Sequence, residues 1–282
     1  MCNRLKISAY IPCFNRVACI EQAVTSLQNQ SIQPDEILVV DDGSTDGSAE
    51  VAIAKGARVL RLEKNLGRGA ARAAAMTMAQ HELVLCCDVS TTLDHNFVKH
   101  ALPWFAHDNV AGVYGIVTQP TARNLAERWR GRHLFQVGVN AEVRHGALLA
   151  SGGAMVRASA VRQVGNYDHR LRHSEDAELG RRLLKAGYDV VQDPKLKIMS
   201  LGHNTLGQVL ERYWRWYAGE AETASYQEYF KNIVFAFKVM AMADLRDRDL
   251  LSVPVSLFCP HYRFWRSWWR CHCRRGKTLL AL

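Results

Sequence analysis

Two hydrophobic patterns alternate along the first ninety residues of the chain. Residues 6–12, 36–40, 58–62 and 83–87 are short apolar-rich runs bounded by polar turns, as is typical of strands in a sheet. Residues 18–28 repeat apolar side chains at three- and four-residue spacing, which predicts a helix. Strands that alternate with helices need crossover connections, so the strands are predicted to be parallel.

Polar residues mark where these elements begin and end. Pro12 is predicted to end the first strand, and Ser44 or Asp46 can cap a helix at residues 48–55. Asp94 is predicted to cap another helix, and a further helix begins beyond Leu206. Because caps explain isolated polar residues, such residues are weak evidence of function by themselves.

Several polar groups follow the predicted strands directly, where an open parallel sheet binds its ligands. Asp41 and Asp42 are adjacent and repel each other unless a cation or hydrogen-bond donors compensate them. A turn with well-placed caps accounts for one of the three acids Asp41, Asp42 and Asp46, but not for all three. Together with residues 12–15, residues 65–68 and Asp88, they predict a nucleotide pocket at this edge of the sheet.

The same segments resemble family 2 glycosyltransferases of the type A, nucleotide-sugar-binding fold. The matching stretches, in the order of the family, are residues 11–15, 40–46, 65–72, 85–88 and 152–176. The resemblance implies a Rossmann-like, mostly parallel α/β sheet flanked by helices. It implies a catalytic domain at 1–205, with a nucleotide-sugar half at about 1–118 and an acceptor half at about 119–205, followed by a helical extension at 206–282.

The resemblance also implies roles on the donor side. Asp42 pairs with the nucleotide base, Pro12 and Asn15 shape the wall beside it, and Asn65 belongs to the same pocket. Arg68 or Arg72 reaches the diphosphate, a task that suits the planar, always charged guanidinium. The alternative for Arg72 is a solvated helix face. Uridine diphosphate sugars are the first donors that the family implies, with guanosine and thymidine forms open.

A divalent cation is the cofactor that the resemblance implies, either Mg²⁺ or Mn²⁺. The family usually carries two acids around Asp88, but Ser90 stands in place of the second one, which weakens the expected metal site. His203 is a further candidate ligand, with a structural role as the alternative. Asp94 is interpreted as a cap and not as a ligand.

Glu175 and Asp176 are the candidate catalytic acids. Ser174 can cap the helix at 174–187, and acids in a first turn are favoured by the helix dipole, which is a complete structural alternative. In the resembling family, however, an aspartate at this place deprotonates the acceptor hydroxyl, which then attacks the anomeric carbon with inversion. A neighbouring carboxylate such as Glu175 raises the proton affinity of that base.

A single sugar transfer is predicted rather than polymerisation. Polymerising relatives carry Gln-x-x-Arg-Trp, whereas Arg212 stands where the glutamine would be, and no membrane-spanning segments are evident. Trp216 is a candidate platform for the acceptor, with core packing as the alternative. The competing class of function is a binding or regulatory protein that keeps this fold without turnover, which Ser90 would favour.

Composition limits the setting of the protein. The 282 residues are enough for one large core with a smaller appendage. The eight cysteines show no paired zinc-like spacing, and Cys86 and Cys87 fall in a predicted core strand. Because the sequence begins without the apolar segment of a secretory signal, the expected compartment is the cytoplasm.

The C-terminal end of the sequence is basic and aromatic. Beyond Leu250 it carries arginines and tryptophans and no acid, within a formal net charge of +9. This composition predicts contact with an anionic membrane, at the inner face of the cell membrane. The resemblance implies a carbohydrate or lipid-linked acceptor. The alternatives are packing on the catalytic domain and binding of nucleic acid, which is not expected.

Overall fold

The computed structural model describes residues 5–119, 122–137, 142–217 and 225–279, with the side chains of 272–279 outside that description. The described residues form eight strands in one sheet. The strands are β1 Ile7–Cys13, β2 Glu36–Asp41, β3 Arg58–Arg61, β4 Leu83–Cys87, β5 Thr91–Leu93, β6 Val110–Thr118, β7 Gly153–Arg157 and β8 Asp189–Ser200.

Helices connect and follow these strands. They are α1 Val17–Gln28, α2 Ser48–Ala54, α3 Arg68–Met78, α4 Phe97–Ala101, α5 Leu125–His133, α6 Ala158–Gln163, α7 Glu175–Lys185, α8 Leu206–Tyr217, α9 Tyr226–Phe235, α10 Met242–Arg246 and α11 Ser252–Leu279. A 3₁₀ turn, Leu102–Ala106, follows α4, and a π-helical segment, Ala236–Ala241, joins α9 to α10.

The sheet has the order β3-β2-β1-β4-β7-β6-β8-β5. Its first four members are parallel, as the sequence predicts, and β6 is parallel to β8. β7 runs antiparallel to both of its neighbours, and β5 runs antiparallel to β8. The mostly parallel, Rossmann-like α/β fold is therefore confirmed, and the carboxyl ends of β1, β2 and β4 meet at one edge.

Both faces of the sheet are covered, which explains why β1 and β4 are buried along their whole length. One apolar layer packs α1 against β1 through Ile20, Val24 and Leu27, which recur at helical spacing. The opposite layer packs α3 and α7 against Tyr10 and the other side of β4. Because apolar layers cover both faces of the sheet, the polar groups that could bind a ligand lie at the strand ends.

The structure differs from the sequence prediction at one strand end and in two helix caps. Pro12 lies inside β1 and pairs with Val40, and the ladder between β1 and β4 ends at Tyr10, so Pro12 has no partner on β4. Asp94 precedes α4 by three residues, and its carboxylate accepts from the N–H of Asn96 instead of capping the helix. Ser174 occupies the N-cap position of α7 with φ +62°, but its side chain makes no capping bond.

The chain packs as two compact units. The first comprises Met1–Pro120 with Val139–Gly202, and the second comprises Thr121–Gly138 with His203–Leu282. Residues 121–138, which the sequence places in the acceptor half, belong to the second unit because α5 buries Trp129 there. The indole of Trp129 donates to Ser256 on α11 at 2.8 Å. The functional division at residue 205 stays a prediction.

Other predictions for the C-terminal end fall partly outside the described residues. Among the residues beyond Leu250, the side chains of Arg274, Arg275 and Lys277 lie there, as do those of His272 and Cys273. Cys271 and the other described cysteines are free thiols. In the part of the chain that the structure describes, no helix is both long enough and apolar enough to cross a bilayer.

Candidate active site

Asp41, the last residue of β2, and Asp42, which follows it, are buried and compensated by the protein itself. The carboxylate of Asp42 accepts from the N–H groups of Leu66 and Gly67 at 2.7 and 2.8 Å and from the side-chain amide of Asn65 at 2.9 Å. Burial raises the pKa of Asp42, and the two backbone donors limit the rise. Asp41 accepts from the N–H of Ser44 at 3.1 Å. The turn therefore holds the loop that follows β3.

Asn15 ties the loop after β1 to the loop after β2. Its side-chain oxygen accepts from the N–H of Thr45 at 2.9 Å, and its own N–H donates to the hydroxyl of Ser44 at 2.9 Å. Asp46 accepts from the N–H groups of Val17 and Ser48, so it braces the starts of α1 and α2 together. These bonds form a rigid wall at the edge where the resemblance implies a base.

The glycine-flanked segment at the start of α3 lies under the loop of residues 165–173. A Cβ on Gly69 would stand 2.4 Å from the carbonyl oxygens of both Asp168 and Leu171, so only glycine permits this approach. Arg172 donates to the side chain and to the carbonyl oxygen of Asn65. Asn65 therefore links Asp42 to Arg172, a contact that the sequence did not reveal.

Gly69→Ala separates this packing role from helix propensity. Alanine favours a helix over glycine, yet here the overlap with two carbonyl oxygens is expected to lower the free energy of unfolding by about 1–3 kcal/mol in a urea titration. Gly207 lies in α8 with open space around it, so Gly207→Ala is the matched control and is expected to stabilise by up to about 1 kcal/mol. Equal stabilisation by both substitutions would contradict the packing role.

Arg72 is the centre of a buried polar network. Its side chain is 1% exposed, and its guanidinium donates to Asp88 at 2.6 Å, to Glu175 at 3.0 Å and to the carbonyl oxygen of Ser151 at 3.1 Å. Although burial lowers it, the charge of Asp88 brings the pKa of Arg72 well above its usual value. The solvated helix face, which was the alternative interpretation of Arg72, is therefore excluded. Arg72 joins the end of β4 to the start of α7.

The sequence did contain a signal for this burial. Arg72 shares one face of α3 with Ala75 and Met76, which are buried against the sheet. Arg68, one turn earlier, is 39% exposed, and its Nε lies 3.7 Å from Glu175. Of the two arginines proposed for the diphosphate, only Arg68 has part of its side chain accessible to a ligand.

Asp176 lies in the first turn of α7, beside this network. One carboxylate oxygen accepts from the N–H of Ser151 at 3.1 Å, and the other accepts from the N–H of Ala177 at 2.9 Å. Burial, and next the charge of Glu175, raises the pKa of Asp176, while Arg72 and Arg68 oppose the rise. A carboxylate with raised proton affinity suits a general base.

Glu175 is buried on the other side of the same turn. Its Oε1 accepts from Arg72, whereas its Oε2 is buried without a hydrogen-bond partner in the described structure. Tyr10 and Tyr167 complete the network, with their hydroxyl oxygens 3.3 Å apart, and the hydroxyl of Tyr167 donates to Ser151 at 3.2 Å. The two tyrosines and Ser151 are members that the sequence did not reveal.

The donor set for a divalent cation is sparse. Asp88 is half-buried at the end of β4, its Oδ1 accepts from Arg72, and its Oδ2 lies toward Gly152. The described residues contain no cluster of three or more acidic, histidine or cysteine side chains that could hold a metal. Mg²⁺ is commonly held by one or two carboxylates together with substrate phosphates, so Asp88 fits such a site only jointly with a diphosphate.

The remaining two candidates, His203 and Trp216, belong to the second unit. His203 is exposed, and its Nδ1 lies 2.9 Å from the carboxylate of Glu127, which leaves Nε2 as its other nitrogen. Trp216 is 47% exposed, and its ring lies 6.1 Å from that of Phe135. The exposure of Trp216 contrasts with the buried Trp214 on the same helix, which packs as core.

Comparisons with known proteins identify the family of the chain. The sequence model described as glycosyl transferase family 2 matches residues 8–165, more than half of the chain. The poly-beta-1,6-N-acetyl-D-glucosamine synthase of Staphylococcus aureus (strain COL) is 24% identical over 228 residues, covering 77% of this chain and 55% of the relative. An N-acetylglucosaminyltransferase of Azorhizobium caulinodans is 28% identical over 235 residues, covering 75% of this chain and 58% of the relative.

Solved structures show the same fold. The mannosyltransferase PcManGT from Pyrobaculum calidifontis, in complex with GDP-Man and Mn²⁺, aligns with a TM-score of 0.60 at 15% identity, over 100% of this chain and 82% of that one. TarS of S. aureus aligns with a TM-score of 0.56 at 17% identity, over 92% of this chain and 53% of that one. The chain spans little more than half the length of the curated relatives it matches. It belongs to glycosyl transferase family 2 and has the type A fold that the resemblance implies.

Proposed function

We propose that the protein moves a hexosyl group from a nucleotide-diphosphate sugar to an acceptor hydroxyl, with inversion and in a single transfer. The observation that carries this proposal is the position of Asp176. Its carboxylate has a raised pKa and lies one residue from Glu175, which Arg72 connects directly to Asp88 at the end of β4. A candidate base and a candidate donor site therefore share one network.

The donor side uses the edge formed by β1, β2 and β4. Pro12, Asn15 and Asn65 shape the nucleotide pocket. Asp42 contacts the base through a carboxylate oxygen that also accepts a hydrogen bond from the loop after β3. Arg68 stands at the first residue of α3, where a helix N-terminus also favours phosphate. Its partly exposed guanidinium binds the diphosphate in the proposed complex.

Asp176 is the proposed general base that accepts the proton of the acceptor hydroxyl. The acceptor oxygen forms a bond to the anomeric carbon, the bond from that carbon to the diphosphate oxygen breaks, and the proton of the acceptor hydroxyl passes to the Asp176 carboxylate. Attack from the face opposite the leaving diphosphate inverts the anomeric carbon. The transition state is oxocarbenium-like and the leaving group gains negative charge, so a cation at that side stabilises it.

Asp88 is the residue that would hold Mg²⁺ or Mn²⁺ together with the diphosphate, and the Nε2 of His203 is proposed as a further ligand. When bound, the ion neutralises charge on the leaving diphosphate. Ser90 offers a hydroxyl in place of a second carboxylate, so the ion is held weakly. Arg68 supplies the permanent positive charge on the same side.

Single transfer and the acceptor side rest on the second unit. Arg212 replaces the glutamine of the polymerising pattern, and its guanidinium lies 5.7 Å from the ring centre of Phe135. The half-exposed Trp216 offers an aromatic platform to a carbohydrate or lipid-linked acceptor. We place the enzyme in the cytoplasm, at the inner face of the cell membrane, in polysaccharide or glycolipid biosynthesis.

A panel of nucleotide sugars tests the proposal. The purified protein is incubated with each donor and with simple glycoside acceptors, in the presence of EDTA and after Mn²⁺ is added back. The expected result is nucleotide release and product from one donor class, with the opposite anomeric configuration by NMR. Because Ser90 is a poor ligand, Ser90→Asp is expected to lower the Mn²⁺ concentration needed for half-maximal rate by about an order of magnitude.

Two results would count against the proposal. A folded protein that binds nucleotide but releases no nucleotide from any donor sugar would favour a binding or regulatory protein over a glycosyltransferase. A product that retains the donor configuration would exclude direct attack by an acceptor that Asp176 activates. Thr92→Asp, two residues further along β5, is the matched control for an added carboxylate and is expected to leave the Mn²⁺ requirement unchanged.

A further inference from the structure

The helices of the second unit expose an unusual amount of apolar surface. The run from α9 through the π-helical segment to α10 exposes Tyr226, Phe230, Val234 and Phe237, which recur at three- and four-residue spacing, and Phe237 is 63% exposed. Around α11, Leu251, Phe258 and Trp265 recur every seven residues and are exposed as well. We call these two rows the apolar stripes. Soluble monomers rarely leave large apolar patches in water.

The stripes are not a consequence of poor packing between these helices. The ring of Tyr229 lies 4.6 Å from that of Phe264, and its hydroxyl is 2.7 Å from Nδ1 of His261. Arg263 pairs with Glu228 across the same contact at 3.4 Å. The helices thus have a specific mutual interface. It includes the ring of Tyr226, which lies 5.2 Å from that of Phe264, whereas the other residues of the stripes make no ring contact between these helices in the described structure.

The arginines that the sequence assigned to lipid phosphate are already engaged inside the second unit. Arg266 pairs with Glu211 at 3.1 Å, and the guanidinium groups of Arg266 and Arg270 lie 5.3 and 5.0 Å from the ring centre of Trp214. Arg263 pairs with Glu228. The membrane prediction therefore cannot rest on these three side chains.

Other basic side chains of the second unit are candidates for binding lipid phosphate. Four exposed basic side chains have no carboxylate partner among the described residues, and they are Lys231, Lys238, Arg246 and Arg248. The acids nearby are compensated, since Arg132 pairs with Asp244 and Asp247, and Arg128 pairs with Asp249. The charge left uncompensated on α9, the π-helical segment and α10 is positive.

We infer that this part of the second unit, from Tyr226 to Trp269, is a membrane-docking surface that binds anionic phospholipids. The apolar stripes enter the interfacial region, and the four unpaired cations bind lipid phosphate. Exposed aromatic residues such as Trp265 and Trp269 suit the headgroup level. A second copy of this chain is a poor occupant, because a twofold contact brings each surface against itself and would oppose like charges.

Vesicle flotation of the full chain tests this inference. The probes are vesicles of phosphatidylcholine alone and vesicles that also contain phosphatidylglycerol. The protein is expected to float with the second and not with the first. Phe230→Ser and Phe258→Ser are each expected to lower the partition coefficient by about tenfold or more. Lys231→Gln, Lys238→Gln and Arg246→Gln are each expected to lower it by about fivefold.

Matched controls come from exposed residues elsewhere on the chain. Ile53→Ser on α2 removes an exposed apolar side chain, and Lys99→Gln on α4 removes an exposed cation, and neither is expected to change flotation. Binding needs no turnover, so the inference goes beyond the proposed sugar transfer and can fail independently of it. The rate of nucleotide release from the donor, measured with a soluble acceptor, is expected to be unchanged in the five surface variants.

Three outcomes would overturn the inference. The first is the absence of flotation with both kinds of vesicle. The second is equal binding to neutral and anionic vesicles, because it removes the role of the cations. The third is a concentration-dependent dimer in sedimentation that Phe230→Ser or Phe258→Ser converts to monomer without any vesicle binding, which would assign the stripes to a second copy of the chain.

Discussion

Asp176→Asn is expected to lower the rate of sugar transfer by about 10²- to 10⁴-fold while nucleotide binding is retained. An amide cannot take the proton of the acceptor hydroxyl, but it has nearly the same size as the carboxylate. Its oxygen can still accept from the N–H of Ser151 or of Ala177, so the first turn of α7 is preserved. Initial rates and calorimetric nucleotide binding measure the two effects separately.

The pH profile gives a second readout of the same role. A general base works in its deprotonated form, and burial together with Glu175 raises the pKa of Asp176. The rate is therefore expected to fall, as the pH is lowered, at a higher pH than an ordinary aspartate would give.

Glu178→Gln is the matched control for Asp176→Asn. Glu178 lies in the same helical turn region, but its carboxylate pairs with Arg182 at 2.6 Å. Removing this partly exposed pair is expected to leave the rate within about twofold of the wild type. Full turnover by a folded Asp176→Asn protein, or an equal loss in Glu178→Gln, would show that Asp176 is not the base.

The sheet could be predicted from sequence because local pattern and fold agree there. The predicted boundaries of β2, β3 and β4 are within one residue of the observed ones, since each strand contains a short apolar run bounded by polar residues. Pro12 was placed at the end of β1 because the backbone rule is local, whereas the register with Val40 depends on the neighbouring strand. The edge of the sheet that carries the polar groups could be predicted as well, because parallel strands bring their carboxyl ends to the same edge.

The connections within the site could not be predicted, because they join residues that are far apart in sequence. Arg72 and Glu175 are separated by 103 positions, and Asn65 and Arg172 by 107. The pattern within one helix cannot show that an arginine on its partly apolar face pairs with two carboxylates from other elements. The pairing of Arg263 and Arg266 with acids on other helices was hidden for the same reason.

The network also explains how charge can be buried so close to a candidate reaction centre. Asp88 and Glu175 would repel if both faced each other without Arg72, and Tyr10 and Tyr167 supply further polar contacts. Burial raises the pKa of both tyrosines, so they remain neutral hydrogen-bonding groups. Arg72 therefore acts as a positioning residue for Asp88 and for the first turn of α7.

Arg72→Met is expected to lower the free energy of unfolding by about 3–5 kcal/mol, because it leaves Asp88 and the buried Glu175 without their shared counter-charge. Methionine keeps much of the side-chain volume, so the loss measures charge more than packing. Arg68→Met is the control, since Arg68 is partly exposed and 3.7 Å from Glu175, and it is expected to cost less than about 1 kcal/mol.

Glu175→Gln in the Arg72→Met background tests the cause of that loss. Removing the buried carboxylate also removes the uncompensated charge, so the double variant is expected to be more stable than Arg72→Met alone in urea denaturation followed by circular dichroism. If the two substitutions instead destabilise additively, Arg72 stabilises the fold through packing and not through its ion pairs. An Arg72→Met protein as stable as the wild type would exclude the buried network as a structural link between β4 and α7.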